Sequence, residues 1–393
     1  MKTREKTRRL TPRPRRVFAA ALLLVLVSVL VVEAYANARF TPDTAQETTT
    51  GSAHVPDHIT RGGPVINATA DRPLSYHLPP KTIALTFDDG PDPWWTPRIQ
   101  RVLDRHGVDA TFFVVGSQVA RHPDLVRRLV AGGHELGVHT FTHPRLSALS
   151  RWRRHAEYSQ TQLAIARAAG VRTALVRFPY SSHPQAIDDQ EWALVQEAGR
   201  LGYVVVVNDR DSRDWARPGM RSIVDGATPA GGQGAVVLMH DAGGDRAQTV
   251  AALEEFIPRM RAQGYRFTTV SHGLNLALGR QVIAQNPPAA SDARWRGGAL
   301  VWVVRIADGF ITFLKLLFIA VGLLAIGRAL LLFVLAGRHA RARRSPRWSW
   351  GPPVIEPVTV IVPAYNEREG IAAAVRSIAT GDHPDIEVIV VDD

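Results

Sequence analysis

FITFLKLLFIAVGLLAIGRALLLFVLAG, residues 310–337, is apolar over a greater length than the core of a soluble domain uses, and it constrains the chain more than any other feature. A helix of that length spans a bilayer with some tilt, its charges Lys315 and Arg328 reaching for opposite interfaces. RHARARRSPR follows at 338–347 and marks that end of the span as cytoplasmic. A second apolar run, VFAAALLLVLVSVLVV at 17–32, follows a segment with eight Lys or Arg and one acid, which holds the N-terminus on the same side. The small residues of AYANA, 34–38, suit cleavage, so residues 17–36 read either as a transmembrane signal anchor or as a signal peptide. Both readings export what comes next.

The expected organisation is a basic cytoplasmic tail (1–16), the anchor or signal (17–36), a linker (37–80), an exported folded domain (81–280), a second linker (281–309), a transmembrane helix (310–337), a basic cytoplasmic linker (338–356) and a further segment (357–393). The net charge of +11 gathers beside the apolar runs, so it points to a membrane rather than to nucleic acid. There is no cysteine, which excludes disulfides, thiolate ligands and a cysteine nucleophile. Any metal is held by His, Asp or Glu.

Within the exported domain, β-rich runs alternate with amphipathic helical patterns: TIALTF, ATFFVV, HELGVH, ALVRF, YVVVV, AVVLM and RFTTV. The alternation predicts an α/β fold, a parallel barrel with helices outside, whose polar residues past the strand C-termini share one site. Five strand ends carry chemistry. The first ends in Asp88 and Asp89, the third in HTFTH with His139 and His143, the fourth in RFPY with Arg177 and Tyr180. The fifth is followed by DSRDW with Asp214 and Trp215, and the sixth ends in LMH with Leu238 and His240. Each alone has a structural reading: Asp-Asp-Gly is turn chemistry, His-x3-His is often a surface pair, and Asp before Trp is a helix cap. Their recurrence at one kind of topological position favours a shared site.

These five motifs, TFDDG, HTFTH, RFPY, DSRDW and LMH, occur in the order found in the polysaccharide deacetylases of the NodB-homology type, carbohydrate esterase family 4, which residues 81–274 resemble. The resemblance implies a distorted (β/α)7 barrel that hydrolyses N-acetyl groups on N-acetylglucosamine polymers, whether chitin-like, exopolysaccharide or peptidoglycan. It implies Asp89, His139 and His143 as ligands of a divalent metal, Zn²⁺ first and Co²⁺, Ni²⁺ or Mn²⁺ as alternatives. It implies Asp88 as base, Arg177 as its orienting partner, the Tyr180 N–H as oxyanion donor, His240 as general acid supported by Asp214, and Trp215 and Leu238 as walls of the acetyl pocket. The alternatives are a catalytically silent polysaccharide-binding segment of a synthase and a C–N hydrolase of a small substrate.

Residues 357–393 read as strand, turn, helix and strand, with VPAYNE after the first strand and VDD after the second. They resemble the opening of a family 2 glycosyltransferase, a Rossmann-like unit of GT-A type. That resemblance implies contacts to a nucleotide sugar from Pro363, Ala364, Tyr365, Glu367 and Asp392. The unit is incomplete for sugar transfer, so the expectation is the front part of a bifunctional protein, with the deacetylase outside and the transferase inside.

Overall fold

The computed structural model describes residues 54–344, 351–352, 355–364 and 370–392. The anchor or signal segment, residues 17–36, lies outside the described residues, as do Tyr365 and Glu367. The described residues up to Gly309 form one compact unit and those from Phe310 a second.

The first unit begins with a short helix α1 (Asp57–Thr60), then β1 (Val65–Asn67), β2 (Leu74–Tyr76) and β3 (Thr82–Asp88). After it come α2 (Thr96–His106), β4 (Thr111–Val114), α3 (Gly116–Arg121), α4 (Pro123–Ala131), β5 (Glu135–Val138), α5 (Arg151–Ala169) and β6 (Leu175–Val176). The rest is α6 (Asp189–Arg200), β7 (Val204–Val206), β8 (Arg210–Asp211), α7 (Met220–Ala227), β9 (Ala235–His240), α8 (Ala247–Ala262), β10 (Arg266–Thr268) and α9 (Val270–Leu278). All seven residues of β3 are buried, as a central strand covered on both faces must be. Helix α6 starts where the Asp188 carboxylate accepts the Glu191 N–H at 2.7 Å, the cap its Asp-x-x-Glu sequence encodes.

The seven sequence-predicted strands appear as β3, β4, β5, β6, β7, β9 and β10, and wherever they pair with one another the pairing is parallel. The sheet order is β2-β1-β7-β6-β5-β4-β3-β9-β8, with β10 also on β3. This is a curled half-barrel and not a closed one. Strand β1 lies antiparallel on β7 and occupies the edge that closure would use.

Two stretches expected as linkers are structured. Residues 65–76, inside the expected 37–80 linker, supply the three-residue strands β1, which pairs with β7, and β2, which pairs with β1, and neither pairing leaves a trace in local composition. Between 281 and 309, Asn286 Oδ1 accepts the Leu136 N–H at 3.0 Å, and the Arg172 N–H donates to the Pro287 carbonyl at 2.8 Å. There the prolines keep free carbonyls that a distant segment can use. Helix α10 (Ser291–Arg343) starts well before the apolar run, with Gly297 and Val301 buried and Asp308 joined to Arg121 by two bonds of 2.8 and 2.9 Å. It is the one helix among the described residues long and apolar enough to cross a membrane.

In the second unit β11 (Val358–Ala364) and β12 (Ile386–Asp392) pair in parallel across α11 (Ile371–Ala379). Pro363 and Ala364 end β11, and the register sets Ala364 opposite Asp392.

Candidate active site

Pairing register builds the site. Thr86 faces Leu238 and Asp88 faces His240 across β3 and β9, so the two-residue period of a strand puts all four on one face. The next residue, Asp89, leaves the strand with φ 79, a left-handed conformation that Asp tolerates better than most residues. Adjacent carboxylates are thereby aimed apart. Gly90 must follow, because a Cβ there would sit 2.1 Å from Asp241 Oδ2.

Asp88 is buried, and its Oδ1 accepts Arg177 Nη1 at 2.9 Å. The same guanidinium donates to Thr86 Oγ1 at 2.7 Å and to the Val206 and Val207 carbonyls, which fixes it in one plane. Burial pulls the Arg177 pKa below its ordinary value, against the opposing pull of Asp88.

Asp89 Oδ1 lies 3.1 Å from His143 Nε2 and 3.5 Å from His139 Nε2, while Asp88 Oδ2 is 3.9 Å from the latter. One ligand atom from each of Asp89, His139 and His143 falls within 4.8 Å of the others, close enough to hold one metal ion. The donor chemistry fits. His139 Nδ1 is 2.8 Å from the Arg177 carbonyl, and the tautomer that donates there leaves the Nε2 lone pair turned to Asp89. Burial works to raise the Asp89 carboxyl, but His139 and His143 outweigh it and hold it well below the usual carboxylate range. For His139 burial lowers the pKa and the charges of Asp88 and Asp89 raise it further than burial takes away. A pair of anions that draws a proton to His139 also draws a cation.

On the opposite side His240 Nδ1 meets Asp214 Oδ1 at 2.7 Å, and Asp214 Oδ2 accepts the His240 backbone N–H at 2.9 Å and Thr249 Oγ1 at 2.8 Å. Burial lowers the His240 pKa, but Asp214 more than compensates and pushes it up to about 9. Burial would raise Asp214, and His240 holds it low instead.

The remaining predicted residues fall around this cluster. Tyr180 has φ 65 and an exposed ring 5.0 Å from the His143 ring, edge-on. Among the described residues its backbone N–H is taken by no acceptor. Leu238 shares the inner face with Thr86, and Trp215 stands beside Asp214 with half its surface exposed. Neither makes a hydrogen bond to the histidines or carboxylates. Pro363, Ala364 and Asp392 belong to the second unit.

Sequence reasoning gave no role to Asp241, Thr86 and Glu157. Asp241 is buried, accepts the Gly90 N–H at 3.1 Å and the Thr96 hydroxyl, and so secures the turn that carries Asp89. Its burial pushes its pKa up to about 7. It is the residue after His240, so its strand-end position was a usable signal. Thr86 and Asp88 are two apart on one strand, which was another. Glu157 sits in a helix, where nothing local distinguished it.

The polysaccharide deacetylase family model matches residues 75–206, and the glycosyl transferase family 2 model matches residues 359–393. A peptidoglycan-N-acetylglucosamine deacetylase of Bacillus cereus is 39% identical over 193 residues, 49% of this chain and 87% of that protein. A chitooligosaccharide deacetylase of Bradyrhizobium sp. is 39% identical over 197 residues, 47% of this chain and 87% of that protein. The solved peptidoglycan deacetylase of Bacillus subtilis is 34% identical, with a TM-score of 0.45, and the match covers 51% of this chain and 93% of that one. On the strength of these sequence matches, the chain belongs to the polysaccharide deacetylase family.

Proposed function

We propose that residues 81–280 remove N-acetyl groups from N-acetylglucosamine units of an extracellular polysaccharide, in a metal-dependent hydrolysis. The observation that carries this reading is the juxtaposition, at the end of β3, of a three-donor group and a separate carboxylate locked by a buried arginine. Asp89, His139 and His143 would hold the ion, Zn²⁺ by donor type, and it would supply Lewis acidity toward the acetyl carbonyl.

The chain's own groups account for the proton transfers. Asp88, oriented by Arg177, takes a proton from the attacking water. The Tyr180 N–H, which no acceptor among the described residues occupies, donates to the oxygen that becomes negative as the carbonyl is attacked. His240 gives a proton from Nε2 to the departing amine while Asp214, accepting from Nδ1, balances the charge of the imidazolium. Leu238 and Trp215 bound the acetyl methyl.

A pH dependence follows from the His240–Asp214 pair. His240 must be protonated to act, so rate is lost as pH rises through its pKa of about 9. Asp214→Asn removes the carboxylate that raises that pKa. The alkaline limb of kcat is expected to move down toward the ordinary imidazole value of about 6.5. A limb that stays in place in folded Asp214→Asn protein removes the pairing from the mechanism.

Helix α10 would anchor the domain in the membrane, with both termini cytoplasmic by the positions of the basic clusters. Residues 359–393 are read as the opening of a glycosyltransferase, in which the ends of β11 and β12 would face a nucleotide sugar. The deciding experiment measures acetate released by the full chain in detergent from chitooligosaccharides and from peptidoglycan, before chelation, after it, and after Zn²⁺ is restored. Release that disappears and returns is expected, and the faster polymer identifies the substrate. Folded, zinc-loaded protein that frees no acetate from either polymer overturns the reading.

A further inference from the structure

The backbone joining His139 to His143 contains two left-handed residues that are not glycine, Thr140 with φ 64 and His143 with φ 60. Such a conformation persists only where its surroundings fix it. The loop is held from two sides.

At the start of α3, the Gly116 N–H donates to the Thr140 carbonyl at 2.9 Å and the Ser117 N–H to the Phe141 carbonyl at 3.0 Å. Gly116 permits that approach, since a Cβ there would lie 2.4 Å from the Phe141 ring. From α5, Glu157 Oε2 accepts the Phe141 and Thr142 N–H groups, both at 2.7 Å, and Oε1 accepts the Thr142 hydroxyl at 2.8 Å. Glu157 is 1% exposed, and Arg153 Nε approaches its Oε1 at 3.4 Å. A buried carboxylate is costly unless its oxygens are used, and three of the donors that satisfy this one lie between the two histidines.

We infer that Glu157 is a positioning residue for the metal group. It touches neither imidazole. By gripping Phe141 and Thr142 it fixes the loop that sets how far apart and at what angle the His139 and His143 rings stand, 5.0 Å between centroids. The inference rests on the metal-dependent reading above. A carboxylate serving only to pack α5 against the sheet would affect melting and leave metal affinity untouched.

The test is the Zn²⁺ dissociation constant of the full chain in detergent, by competition with a chromophoric chelator, for wild type, Glu157→Gln, Thr142→Val and His139→Ala. The Gln variant keeps the shape but removes the charge that strengthens all three bonds. With its oxygen on the two backbone N–H groups, it turns an amide N–H toward the Thr142 hydroxyl, which must reverse to accept it, and toward Arg153 Nε, a donor that cannot. Its zinc affinity is expected to fall by about 10- to 100-fold, the range for loss of a group that supports a ligand. Thr142→Val, which removes one of the three bonds, should show a smaller loss in the same direction. At saturating Zn²⁺ the Gln variant should recover kcat with KM unchanged. Wild-type zinc affinity in folded Glu157→Gln overturns the inference; should that variant not fold, wild-type affinity in Thr142→Val does so. If wild type binds zinc no better than His139→Ala, the metal reading itself fails and takes this inference with it.

Discussion

Asp88→Asn is expected to lower kcat by about 10²- to 10⁴-fold, the contribution typical of a positioned general base, with zinc content unchanged. The substitution is nearly isosteric, and its amide oxygen can still accept from Arg177 Nη1, now at 2.9 Å from Asp88 Oδ1. Arg177 keeps its bonds to Thr86, Val206 and Val207, so its plane is retained. What disappears is a proton acceptor. Asp88 lies outside the three-donor group, its nearer approach to His139 Nε2 being 3.9 Å against 3.5 Å for Asp89, so the ion should remain. The measurement pairs acetate release with metal per chain on the same sample. Full turnover by the variant would remove Asp88 as the base, and coincident loss of zinc would make it a ligand.

The proposed division of labour between neighbouring carboxylates was readable as a question in TIALTFDDGP, a strand that stops on two acids, and the family resemblance suggested which acid takes which role. The alternation of β-rich runs with helical patterns located the seven parallel strands, and the rule that their C-terminal ends converge pointed to His139, His143, Arg177, Asp214 and His240 as one group. What makes Asp88 and Asp89 different in geometry was not readable, because it lies in one backbone angle, φ 79 at Asp89, beside a turn whose Gly90 N–H is held by Asp241, a residue far away in sequence. The strands β1, β2 and β8 were hidden for a related reason. They have two or three residues each and exist because a neighbouring strand offers an open edge. A short strand carries too little periodicity to announce itself, and its partner is known only once the sheet is assembled. Glu157 belongs to the same class, since a buried acid on a polar helix looks like a solvated one until its donors are seen.

His139→Ala is expected to remove the ion and the activity together, with a loss of zinc affinity greater than the ~10- to 100-fold that follows from disturbing a supporting group. His139 is the most enclosed of the three donors, 2% exposed, and its ring is fixed at both nitrogens: Nδ1 on the Arg177 carbonyl and Nε2 facing Asp89. Alanine leaves two donors, Asp89 and His143. Two donors rarely retain a divalent ion against dialysis, so metal per chain, measured after dialysis by elemental analysis, should fall toward zero. Acetate release should fall with it and should not return on adding Zn²⁺ at concentrations that saturate wild type. A variant that stays metal-replete would contradict the ligand assignment. Because Asp88 and His139 belong to different strand ends, β3 and β5, the two substitutions separate the two halves of the mechanism: one yields loaded protein that cannot move the proton, the other protein with its base in place and no ion beside it.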